Sequence, residues 1–243
     1  MKPVRICSYI IFLIISFQSL QGQRSFHKDN VDLTASEVCL TGELFTPDFI
    51  VDGSTYFNSE WLPGDIYLSS GEVVRNKLIK YNGLLDELFW KEPKSNNVIK
   101  LDKEAILRFH FQNFNGDPAV YFTKIKVRRN NISDSSEAFG QVVNEGNLSL
   151  YILHDYKIAA TELIRQNGKL LERTNYVEEP VYIFRLTNNK TFVFKHLNRK
   201  KLYSISPVNS EKIKEFLKTN RAGGLKDISY LRRLTQFLGT LEN

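Results

Sequence analysis

From about Asp65 onward, apolar and polar residues alternate in short runs, and each run closes on a turn signal. Period-two alternation marks a strand with one buried face. Ile66-Tyr67-Leu68 is closed by Ser69-Ser70-Gly71, and the pattern resumes from Glu72 to Ile79. Asn82-Gly83 reads as a two-residue hairpin turn, since both residue types tolerate positive φ, with Leu84 to Trp90 as the returning strand. In Ile106 to Gln112, Leu107, Phe109 and Phe111 alternate with Arg108, His110 and Gln112. That predicts an apolar face inside and a basic, polar face outside. Val120 to Val127 follows Gly116-Asp117-Pro118, and Leu148, Leu150 and Ile152 alternate after Asn144-Glu145-Gly146. Asn167-Gly168 joins the segment from Ala160 to Arg165 to Leu170-Leu171. The clearest hairpin is Val181 to Leu186 with Thr191 to Lys195, flanking Asn188-Asn189.

Near the C-terminus the period changes. Ile213, Phe216 and Leu217 recur at helical spacing after Asn209-Ser210, which can start a helix, and Asn220 with Gly223-Gly224 stops it. Asp227 can cap a second helix. Its Tyr230, Leu231, Leu234, Phe237 and Leu238 form a broad apolar stripe, with Arg232 and Arg233 toward solvent. The expected fold class is α+β, a predominantly antiparallel β body with two C-terminal α-helices. It forms one domain over residues 37–243, preceded by a polar, aperiodic lead-in at 23–36.

The N-terminus follows a different pattern. Lys2 and Arg5 precede the nearly apolar stretch Ile6 to Phe17, and no acidic residue occurs before Asp29. About 20 apolar residues are needed to span a bilayer, so this stretch is too short. A charged start, a short apolar run and small or polar residues after it describe a secretory signal peptide over residues 1–22, cut after Gly22. An uncleaved anchor or a buried first helix is the alternative. The mature protein is then exported, periplasmic or extracellular, with no membrane span after cleavage.

Composition sharpens this picture at three points. The 243 residues are 42% hydrophobic and 25% charged, which suits a globular protein able to bury a core and excludes a disordered or collagen-like chain. The net charge of +6 falls by Lys2 and Arg5 on cleavage, and that mild excess excludes a nucleic-acid partner. The denser basic spots, Lys124 to Arg129 and Lys195 to Lys201, read as solvated faces. Of the two cysteines only Cys39 survives cleavage, so no intramolecular disulfide can form. Packing between Val38 and Leu40 is the favoured role, against an intermolecular link or a reactive thiol.

Motifs that carry chemistry are missing. The chain lacks G-x-S-x-G, H-E-x-x-H, C-x-x-C, a phosphate loop, a dinucleotide fingerprint and an EF-hand loop. No catalytic residue, cofactor or metal is assigned, and a non-enzymatic role is favoured. A histidine and a carboxylate brought together by folding would be the exception, although His154 and Asp155, being adjacent, point to opposite strand faces. Trp61, in Glu60-Trp61-Leu62-Pro63-Gly64, and Trp90, before Lys91-Glu92-Pro93, are candidate contacts for a partner or ligand; capping the edges of the β core is the competing role. Sequons stand at Asn131, Asn147 and Asn189.

Leu62-Pro63-Gly64-Asp65-Ile66-Tyr67-Leu68, then Gly71, Lys80-Tyr81-Asn82 and Leu88-Phe89-Trp90, resembles uncharacterised exported proteins of Bacteroidetes. The likeness extends to a Lys-rich C-terminal helix pair, here Glu211 to Lys218, and covers roughly residues 60–240. It implies a periplasmic or cell-surface location and brings no catalytic residues. Three readings follow. The leading one is a non-enzymatic envelope protein that binds or supports another component, as a soluble subunit of an outer-membrane β-barrel complex. The second is a carbohydrate- or small-ligand-binding β module, and the third an unrecognised hydrolase.

Overall fold

The computed structural model describes residues 40–45, 51–52, 55–127, 136–166, 168–220 and 224–241. The predicted signal peptide, the lead-in, Cys39, Arg128-Arg129, Asn131 and Asn167 lie outside the described residues. The strands are β1 (Gly42–Leu44), β2 (Val51–Asp52), β3 (Leu62–Leu68), β4 (Val73–Asn82), β5 (Glu87–Lys91), β6 (Val98–Leu101) and β7 (Ile106–Phe114). They continue with β8 (Asp117–Val127), β9 (Ser136–Asn144), β10 (Leu148–Leu153), β11 (Tyr156–Gln166), β12 (Lys169–Glu178), β13 (Val181–Leu186) and β14 (Thr191–Phe194). Eleven strands form one sheet in the order β1-β6-β5-β4-β3-β7-β8-β9-β10-β13-β14, each neighbouring pair antiparallel. The other three form a small sheet, β11-β12-β2, with β2 parallel to β12.

The register explains where the core sits. Directly paired residues share a face. Val74, Ile66, Phe109, Phe122, Gln141, Ile152, Tyr182 and Phe194 therefore form one row across eight strands. On β3–β9 this face builds an aromatic core in which Phe109 and Phe122 stack at 4.9 Å. On β10 and β13 the same face is covered by helices. The opposite face is also buried where Ile125, Ala138, Tyr151 and Ile183 meet, so β10 and β13 lose their alternation and are apolar on both sides.

Among the described residues three α-helices follow the last strand, where two were expected: α1 (Arg199–Ile205), α2 (Ser210–Thr219) and α3 (Ile228–Thr240). Asn198 caps α1 by accepting from the Lys201 amide at 3.0 Å. The short basic segment has only Leu202 and Ile205 to bury, too few for a legible period. Asp227 caps α3 as anticipated, accepting from Tyr230 N. Tyr230, Leu231, Leu234 and Leu238 of α3 are buried against β9 and β10, with Phe237 half-buried. Each such burial contributes about 1.5–3 kcal/mol. Arg232 does not simply face solvent: its Nε donates to Val143 O at 3.1 Å and its Nη2 lies 3.5 Å from Asp117.

Two turns depart from the sequence reading. At Asn82-Gly83 the chain makes a longer turn through Asp86, and the positive φ of 56° falls on Asp86. Gly83 is needed for space: a Cβ there would stand 2.5 Å from His154 O. Among the described residues a two-residue turn with both φ positive is found at Asn115-Gly116, at 50° and 85°. On β7 the register against β3 slips between Tyr67 and Leu68, so Ile106 takes the core position and Leu107 is 53% exposed. No helix among the described residues is long and apolar enough to cross a membrane.

Candidate functional site

Asp65, His110 and Tyr121 form a row on β3, β7 and β8, on the sheet face opposite Phe109 and Phe122. The alternation expects His110 in solvent, yet it is buried. Its ring lies 4.8 Å from Tyr121 and 6.0 Å from Tyr67, and Arg108 lies 4.4 Å over Tyr67. Asp65 Oδ1 accepts from the Asn76 amide at 2.8 Å and from Gln112 Nε2 at 3.2 Å. Its Oδ2 is 3.6 Å from Arg75 and 3.8 Å from His110 Nε2. Burial pushes the His110 imidazole below its usual range, against the opposing pull of Asp65. Its Nδ1 is buried without a partner among the described residues. Tyr67, Tyr121 and Arg108 pack around this row.

His154 meets a carboxylate from a different element. Its Nδ1 donates to Glu178 of β12 at 2.6 Å, and Nε2 lies 2.9 Å from Gln141 Oε1. Gln141 is the polar member of the apolar row that runs from Val74 to Phe194, and His154 satisfies its amide there. Phe57 packs edge-on against the imidazole at 4.8 Å, with Phe122 at 5.8 Å. The hydrogen bond from His154 holds the Glu178 carboxyl below its usual range. Burial and the nearby Glu178 charge raise the Tyr156 hydroxyl. Asp155 instead accepts from the Tyr156 amide. A general base needs a ring nitrogen facing a substrate or nucleophile; here a carboxylate and an amide occupy the two. The constellation ties β9 to the base of the β11–β12 hairpin.

The two tryptophans do not share a surface. Trp90 pairs with Ile79 and Ile99 and packs on the aromatic core. Lys80, the next residue after Ile79 and so on the other face, lies over Trp61 at 5.8 Å and Tyr56 at 4.4 Å. Burial lowers the Lys80 pKa, and its ammonium donates to Ser59 O at 2.6 Å. Both indoles are partly buried, and Trp90 Nε1 is a buried donor without a partner among the described residues. Among these residues no group of three or more His, Cys, Asp or Glu is placed to hold a metal ion.

The β11–β12 hairpin carries three large, strongly exposed aliphatic side chains. Its register places Ile158, Tyr176, Leu163 and Leu170 on one face, and Leu163, Leu170 and Ile158 are 72%, 62% and 60% exposed. The opposite face has the Arg173–Glu162 ion pair. β11 is the outer strand of the small sheet, so one of its edges pairs with no strand among the described residues. Sequence reading located the turn but missed the exposure. The available signal was Ile158-Ala159-Ala160-Thr161-Glu162-Leu163-Ile164, which places aliphatics on both faces.

Comparison with protein-family models, with curated proteins and with solved structures gave no match.

Proposed function

We propose that this chain is an exported, non-enzymatic protein that binds or supports another component of the cell envelope, and that it docks through the β11–β12 hairpin. The observation that carries the reading is the joint presence, on one hairpin, of a strand edge unpaired among the described residues and three exposed aliphatic residues. Long, apolar edge strands are templates for pairing with another strand. Strand addition at the β11 edge satisfies the edge backbone groups and brings partner side chains beside Ile158 and Leu163. The occupant is therefore an extended strand of a partner protein, of the kind a component of an outer-membrane β-barrel complex offers. The basic start, short apolar run and polar follow-on at the N-terminus support export to the periplasm or cell surface.

A photo-crosslinking residue placed at Leu163 or Leu170 tests the docking. In intact cells both positions should capture the same envelope protein, and Leu170→Glu should abolish capture from position 163. Capture of a second copy of this chain alone, or no capture from either position, defeats the reading. The N-terminus of the mature protein, read by mass spectrometry, should lie near Gln23; an intact Met1 chain in the membrane fraction defeats the export.

A further inference from the structure

A groove of about 640 Å³ lies between the ends of β7–β9 and the β13–β14 hairpin. That is the size of clefts that take small molecules, about 300–1,000 Å³. Its charges are unevenly matched. Lys124 stands 3.6 Å from Glu104 and 3.9 Å from Glu137, and Lys126 is opposite Glu137 across the β8–β9 ladder. Arg185 meets no carboxylate among the described residues, although it also lines the groove.

Arg185 is held in place by groups that leave its donors free. It projects from β13 opposite Thr191 of β14, with its guanidinium 5.6 Å over the Tyr151 ring. One Nη2 contact, to Lys126 O at 3.5 Å, is its hydrogen bond among the described residues. A guanidinium has five N–H donors in a planar fork that matches carboxylate and phosphate oxygens two at a time. Fixing it over a ring removes part of the entropy cost of such a contact. Leu107, which the register slip on β7 leaves exposed, supplies an apolar wall to the same groove.

We infer that this groove binds a small oxyanion, a carboxylate- or phosphate-bearing molecule, with Arg185 as its recognition residue. The inference is independent of the docking proposed for the hairpin. Isothermal titration of the full chain at low salt with benzoate, acetate and inorganic phosphate tests it. One saturable site is expected for at least one of these anions. Benzoate tighter than acetate and phosphate assigns the carboxylate source and the Leu107 wall, and phosphate tightest assigns the phosphate source. Arg185→Gln should weaken binding at least tenfold at an unchanged melting temperature, and Arg185→Lys should weaken it by less. Lys190→Gln, which removes an equal charge outside the groove, should leave binding unchanged. The inference is overturned if none of the three anions binds, if both Arg185 variants bind as the parent does, or if Lys190→Gln loses as much affinity as Arg185→Gln. Should Arg185→Gln fail to fold, Arg185→Lys against Lys190→Gln decides.

Discussion

Helix α3 and the β11–β12 hairpin both carry large aliphatic side chains, and the sheet treats them in opposite ways. Leu231, Leu234 and Leu238 of α3 are fully buried against β9 and β10. Ile158, Leu163 and Leu170 of the hairpin remain in water. Both elements form, but for different reasons. The helix is stabilised by what it covers, while the hairpin rests on its own ladder, on β2 and on contacts at its base. Isolated two-stranded hairpins are marginal, so an exposed one needs such a joint. An aliphatic side chain that is buried stabilises the fold; one held out in water adds little to it.

The comparison breaks most sharply if α3 proves dispensable. Deleting the residues after Lys226 uncovers Leu148, Leu150 and Ile152, and the truncated chain should aggregate or fail to accumulate. A truncated chain that stays soluble and melts cooperatively at the full-length temperature would place α3 outside the core. Leu234→Ala should cost about 2–5 kcal/mol in denaturant unfolding. At the joint between body and hairpin, Gly83→Ala drives a methyl against His154 O and the Tyr156 ring, and should cost about 1–3 kcal/mol in the same assay. On the hairpin, Leu163→Thr should shift stability by no more than about 0.5 kcal/mol. A loss as large as that of Leu234→Ala would mean that the hairpin face is core after all.

His110 and Glu178 separate body from joint by pH. The His110 imidazole is held low in the folded chain, while the unfolded chain takes up a proton near about 6.5. Its stability contribution is therefore complete above that value and lost as the pH falls through it. The Glu178 carboxyl is held low by His154, so its contribution is complete above about 4.3 and lost as the pH falls further toward its folded value. Urea midpoints measured from pH 8 to pH 3 should show both losses. His110→Gln should flatten the upper one alone, and Glu178→Gln the lower one alone.

Much of the fold was legible in local pattern. The Asn188-Asn189 hairpin, the Asp227 cap and the α3 stripe each depend on residues close in the chain, where period and turn chemistry act directly. A run as short as Arg199–Ile205 carried too little period to be read. The sites escaped for a stronger reason. His154 finds Glu178 twenty-four residues away, and neither residue is marked until β12 returns beside β11. His110 is buried because Tyr67 and Tyr121 arrive from neighbouring strands. The slip that exposes Leu107 comes from a pairing with β3, and Arg185 reaches Lys126 and Tyr151 only once the sheet has ordered β13 among its strands. Periodicity and turn chemistry are properties of neighbours in sequence, and they determined which segments are strands and helices. Strand order and register are properties of distant segments, and the tertiary structure alone decided which apolar faces are covered and which charges are left without a partner.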